Sequence, residues 1–172
     1  MKPMKFGMGQ AVRRSEDARF ITGAGHFATD YMPAGALHAV LVRSPHAHAT
    51  FSIANIDDVR AMKGVKLAWS AADVTDLGPV PCQALLKNGD GKAMVATDYA
   101  VLAKGEVRHI GDAVAFIVAT SLSVAKEAAE ALAVDYAALP VAVGAEAAMV
   151  AQAPLVWPAL GSNVALDTSI GD

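Results

Sequence analysis

Residues Gly105 to Tyr136, GEVRHIGDAVAFIVATSLSVAKEAAEALAVDY, constrain the fold of this chain more than any other stretch. The run 113–119, AVAFIVA, is apolar at every position, so both faces of a strand there must be covered by other parts of the molecule. That predicts a central strand. After Thr120 the period changes: Leu122, Ala125, Ala128, Ala129 and Leu132 fall on one side of a 3.6-residue helix, with Lys126, Glu127 and Glu130 on the other. Ser121 or Ser123 can cap its first turn. Val134 to Tyr136 then starts another strand, which Pro140 limits. The unit is strand, helix, strand, and it is a right-handed crossover if the two strands are parallel members of one sheet.

A chain of 172 residues is one domain, or one and a tail, and can bury a sizeable core without staples. Its single cysteine, Cys82, excludes an internal disulfide framework, a Cys-ligated iron–sulfur cluster and a multi-cysteine structural zinc. Lys2 and Lys5 are followed by no apolar leader core, and no run reaches the length of a membrane span, so a soluble cytoplasmic protein is expected. A net charge of −3 with scattered Lys and Arg leaves no basic face for nucleic acid. Apolar residues make up 54% and charged ones 18%, against roughly 45–50% and 25% for an average soluble domain. That surplus points to surface covered by something outside this chain.

Residues 1–12 read as an irregular N-terminal arm, 13–145 as the main domain and 146–172 as a C-terminal strap. Gly23-Ala-Gly25-His-Phe-Ala28 formally satisfies a dinucleotide fingerprint, but no strong strand precedes it and no helix follows, so that reading is rejected. Leu37 to Val42 is a strand, Arg43 to His46 a turn or bulge, and Ala49 to Ile53 a further extended run. His46 and His48 would share a face if the chain is extended there, at a spacing two metal ligands can use, but no third ligand is fixed nearby. Asn55 or Asp57 can cap a short helix that Gly64 would end, which makes Asp57 and Asp58 first-turn residues and not an acid/base pair. Val65 to Trp69 is the next strand, and 71–76 forms one further turn. From Leu77 to Thr97 the chain lacks periodicity and carries tight turns at Asn88-Gly89 and Asp90-Gly91, which suits a functional segment or a contact surface and fails as an EF-hand. Cys82 lies there as an ordinary semi-buried thiol, without a histidine to activate it.

These residues carry a resemblance. Arg14 to Asp30, Gly35 to Ile56 with its RSPHAHA, Val107 to Ala119, Ala125 to Pro140, and Ala153 to Asp172 with Asn163 are similar to the N-terminal α/β hammerhead domain of the molybdenum-binding large subunit of the xanthine dehydrogenase, aldehyde oxidase and carbon monoxide dehydrogenase family. The pieces follow the family's order over nearly the whole chain. Trp69-Ser70 departs from the family's more usual Thr-Gly, and 83–93 follows no family pattern.

The resemblance implies an α+β (mixed α/β) hammerhead fold around the strand–helix–strand unit. It implies a parent enzyme that hydroxylates an aldehyde or N-heterocycle with oxygen from water, or oxidises carbon monoxide, at a molybdenum–pterin cofactor. Electrons then leave through [2Fe–2S] clusters to FAD. The family's molybdenum-site residues come from domains after the hammerhead, so the resemblance assigns no catalytic, cofactor-binding or metal residue to this chain. Its partners would be the molybdopterin-binding remainder of the large subunit, an iron–sulfur small subunit and an FAD medium subunit, in the bacterial separate-subunit arrangement. The expected role is a structural and interface domain, inactive alone, with Arg43, His46 and His48 as the polar residues of packing or inter-domain contact. A stand-alone small-molecule or protein-binding module is the alternative.

Overall fold

The computed structural model describes residues 13–169 and 171; the arm expected over 1–12 lies outside them. The chain divides after Ala36 into two compact units. In the first, helix α1 (Asp17–Ile21) is followed by a single 3-10 turn at Ala28–Asp30. Phe20 and Phe27 stack with ring centroids 4.9 Å apart. Gly25 lies under the Phe20 ring, where a Cβ would collide with it, so close approach explains this glycine without a nucleotide.

The second unit holds two three-stranded sheets. Strands β1 (His38–Arg43), β2 (Ala49–Ile53), β3 (Val65–Trp69), β4 (Glu106–Val107), β5 (Ala113–Ala119) and β6 (Val134–Ala138) arrange as β1-β5-β3 in one sheet and β4-β2-β6 in the other. The pairings are antiparallel. The all-apolar β5 is the centre of its sheet, as its sequence requires. Ala115, Ile117 and Ala119 are fully buried on one side and Val114 on the other. Ala115 and Ile117 pack with Val59, Ala68, Ala128 and Leu132, while Val114 packs with Ala49, Ala103 and Val107. One strand therefore joins two apolar clusters, and Val42 and Val134 border both.

Helix α3 (Leu122–Ala131) follows β5, and Ser121 caps it, accepting from Val124 N at 3.2 Å. Its inner face is Ala125 and Ala128, both fully buried; Leu122, expected inside, is the first residue of the helix and is 45% exposed. The condition for a right-handed crossover, two parallel strands of one sheet, is not met. Strand β5 belongs to the first sheet and β6 to the second, so α3 connects sheets instead of neighbouring strands. The strand and helix periods carry no information on sheet membership.

Helix α2 (Ile56–Ala61) forms where expected, but the Asn55 side chain does not cap it. It instead donates to Ala131 O at 2.9 Å and accepts from Ala133 N at 2.7 Å, tying the start of α2 to the end of α3. Gly64 does adopt positive φ, +92°, in the turn into β3, two residues beyond the helix C-cap Met62. The strap expected after 146 starts with a helix, α4 (Ala145–Met149), since Ala, Glu and Met favour helix and the prolines come only later. Beyond it, Val95 N and Gly89 N donate to Ala165 O and Asp167 O, so the strap's last part runs beside the Asn88 turn. No helix among the described residues is long and apolar enough to cross a membrane.

Candidate functional site

The polar residues singled out in RSPHAHA lie on the connection from β1 to β2. The β1–β5 register slips between Val42 and Arg43, and this irregularity turns the chain out of the sheet. Ser44 is buried there: its N–H donates to Asp112 O and its carbonyl accepts from Gly111 N, both at 2.8 Å. The Ser44 hydroxyl accepts from His46 N at 3.0 Å and returns a bond to His46 O. Arg43 Nη1 donates to Gly111 O at 2.8 Å. Arg43 thus braces the neighbouring turn.

The chain bends between 45 and 48 and is not extended, so the two histidines do not act together. The His46 ring packs on Tyr136 with centroids 4.8 Å apart, and Phe51 lies on the same tyrosine at 6.0 Å. Burial pushes the Tyr136 phenol up from its ordinary pKa, with the Ser44 hydroxyl pulling weakly the other way. His48 Nδ1 faces Pro140 O at 2.8 Å, and a carbonyl can only accept, so Nδ1 carries a proton. Its Nε2 lies 2.9 Å from Glu106 Oε1. Both ring nitrogens face protein oxygens, so neither is turned toward a metal or a substrate. Among the described residues no three His, Cys, Asp or Glu side chains gather as metal ligands would.

The seam continues past His48. Glu106 Oε2 meets Arg108 Nη2 at 3.1 Å, Arg108 Nε donates to Val156 O at 3.2 Å, and the Arg108 guanidinium lies 4.0 Å from the centroid of the Trp157 ring. Open hollows flank it: one of about 410 Å³ lined by Tyr99, Lys104, Glu106, His109 and Trp157 among others, and one of about 340 Å³ lined by Ile110, Val141, Val143 and Leu155 among others. Sequence reasoning missed Glu106, Arg108, Tyr136 and Trp157 as a group. Glu106 and Arg108 stand two residues apart, an ordinary alternation, and Tyr136 and Trp157 lie too far along the chain for spacing to join them to it.

The remaining candidates stay apart from this seam. Asp57 pairs with Arg60 at 2.7 Å in the first turn of α2, as expected of a helix-start residue. Arg60 also donates to Ala68 O at 2.9 Å and meets Asp73 at 2.6 Å. Asp73 in turn accepts from Ser70 N, and this bond chiefly holds its carboxyl below the usual carboxylate value; the Ser70 hydroxyl and Arg60 add to it against partial burial. Cys82 is exposed, not semi-buried, because the long 77–101 segment lies open; its sulfur reaches only Ala84 O at 3.8 Å.

Residues 22–140 match the model of the aldehyde oxidase and xanthine dehydrogenase α/β hammerhead domain. The nicotine 6-hydroxylase large subunit of Paenarthrobacter nicotinovorans is 35% identical over 72% of this chain and 15% of its own length. The carbon monoxide dehydrogenase large chain of Afipia carboxidovorans is 36% identical over 87% of this chain and 17% of its own. Quinoline 2-oxidoreductase from Pseudomonas putida 86 superposes with a TM-score of 0.78 at 36% identity, over 91% of this chain and 19% of that one. The chain spans less than a fifth of the length of each of these proteins.

Proposed function

This chain belongs to the aldehyde oxidase and xanthine dehydrogenase α/β hammerhead family, and from that membership we propose that it is the structural and interface domain of a molybdenum hydroxylase large subunit, inactive alone. The parent reaction is hydroxylation of an aldehyde or N-heterocycle with oxygen from water, or oxidation of carbon monoxide. Within this reading 13–145 is the hammerhead and 146–172 the strap toward a molybdopterin-binding domain. Its partners are the rest of the large subunit, an iron–sulfur subunit and an FAD subunit, in the cytoplasm. Arg43, His46 and His48 pack and position; none is catalytic.

The residues present do not fit the implied cofactors. One cysteine cannot ligate an iron–sulfur cluster. No buried side-chain nitrogen or oxygen among the described residues lacks a partner, so no unmet donor or acceptor waits for a pterin edge. No chemical step is assigned to this chain.

The observation that carries the interface reading is the exposed apolar surface of the second unit. Leu85 is 72% exposed, Ile110 70%, Val143 80% and Met149 70%, and Leu77, Val80, Leu86, Tyr99 and Val101 add to it on the open segment. Single exposed apolar side chains are ordinary; this many on three stretches is what a covered surface leaves behind when its partner is removed. Metal analysis and assays of the purified 172-residue chain test the reading. It predicts no stoichiometric molybdenum and no turnover of an aldehyde, an N-heterocycle or carbon monoxide. Either activity or bound molybdenum in the chain alone overturns it. The binding-module alternative predicts instead a saturable small-molecule titration without any partner.

A further inference from the structure

Three segments distant in sequence converge on two alternate residues at β4. His48 leads into β2, Pro140 follows β6, and residues 154–157 belong to the strap; Glu106 and Arg108 touch or brace all three. We propose that Arg108 is the clasp that holds the 154–157 segment against the hammerhead, and that the His48–Glu106 pair fixes the orientation of its guanidinium.

The geometry uses what only arginine has. Its Nη2 meets Glu106 Oε2, its Nε–H points at Val156 O, and its planar face covers Trp157 at 4.0 Å. The Arg108 and Glu106 side chains are 26% and 28% exposed, so the pair is partly withdrawn from water and holds better than a solvated surface pair. The other Glu106 oxygen is tied to His48, whose far nitrogen is fixed by the Pro140 carbonyl. The carboxylate is therefore held from both sides.

The segment that Arg108 holds is assembled in advance. Asn163 accepts from Val156 N and donates to Ala148 O and Pro154 O, each at 3.0 Å, closing 148–163 on itself. Besides Arg108, it is held by the half-burial of Ala153, Pro154, Leu155 and Trp157 and, beyond Asn163, by the bonds of 165–167 with the turn at Asn88. Helix α4 and the turn at Pro158–Leu160 bury no residue, and no strand of either sheet runs through this part of the chain. A segment with few buried apolar contacts opens locally at low cost, so its opening is governed by the few contacts that remain.

Hydrogen exchange on the 172-residue chain tests this independently of any partner, so its outcome is separate from that of the interface reading. In Arg108→Ala, the hydrogen-bonded amides within 150–158, those of Ala153 and Val156, exchange about tenfold faster, the population change that losing one partly desolvated cation–π contact and its hydrogen bond brings, while those of 113–119 stay within about twofold. Arg108→Lys keeps the charge but loses the stacked plane and the Nε–H, and behaves as the alanine variant does. Glu106→Gln gives a smaller rise confined to the same residues. A second reading uses fluorescence: in a Trp69→Phe background, Arg108→Ala shifts Trp157 emission to the red. Unchanged exchange over 150–158, acceleration as large over 113–119, or unmoved Trp157 emission would overturn the proposal.

Discussion

Single residues in this chain are fixed by backbone geometry and by hydrogen bonds that span long sequence separations. Gly64 combines φ +92° with a neighbour, Thr120 Oγ1, that would lie 3.0 Å from a Cβ. Gly64→Ala is expected to destabilise the fold by about 1–2 kcal/mol, the cost of a left-handed alanine, read as a lower urea midpoint with unchanged slope. An unchanged midpoint contradicts that. Asp73 makes a prediction about pH. Its folded pKa is lowered, so its contribution is full above the ordinary carboxylate value and is lost as the pH falls through the lowered one. The stability gap between the wild type and Asp73→Asn should be widest near neutrality and shrink in acid; a gap independent of pH would count against the Ser70 and Arg60 contacts. Gly64 was legible as a positive-φ position because a glycine just past a short helix has few other reasons to be there. The partners of His48 were not legible. They lie 58 and 92 residues away, and no local pattern announces them.

At the scale of elements, the strongest sequence signals translated directly. An uninterrupted apolar run gave the central strand, and the change to a 3.6-residue period gave the helix after it, with two small residues buried where α3 meets the sheet. What periodicity could not supply was sheet membership, since a strand's apolar pattern is the same whichever neighbour it pairs with. Hence β5 and β6, contiguous through α3, fell into different sheets. Ile117 is fully buried where β5 meets the α3 cluster. Ile117→Ala should cost about 3 kcal/mol, within the usual range for emptying such a site, measured by chemical denaturation. A cost under about 1 kcal/mol would mean that this cluster is not the core. Ala128, also fully buried, tests the same contact from the helix side: Ala128→Leu should destabilise by about 1–3 kcal/mol through overpacking, and a neutral effect would show that α3 does not lie close on the sheet.

For the whole molecule the informative quantity is what the surface lacks. A chain with 54% apolar residues keeps a sound core around β5 and still leaves large apolar side chains in water along 77–101 and 141–150. The composition points to missing cover, and the aperiodic run from Leu77 to Thr97 suits a functional segment or a contact surface. Neither could name the occupant, because an interface is complementary to a partner whose sequence is elsewhere. The central claim is that these residues work as one part of a molybdenum-containing assembly. Its most direct test is to isolate, under non-denaturing conditions, the native polypeptide carrying them from its source cells, and to measure the particle's mass and molybdenum content together. The account predicts a particle several times heavier than 172 residues, with one molybdenum for each copy of this stretch. A free 172-residue chain without molybdenum and without bound partner chains would contradict it.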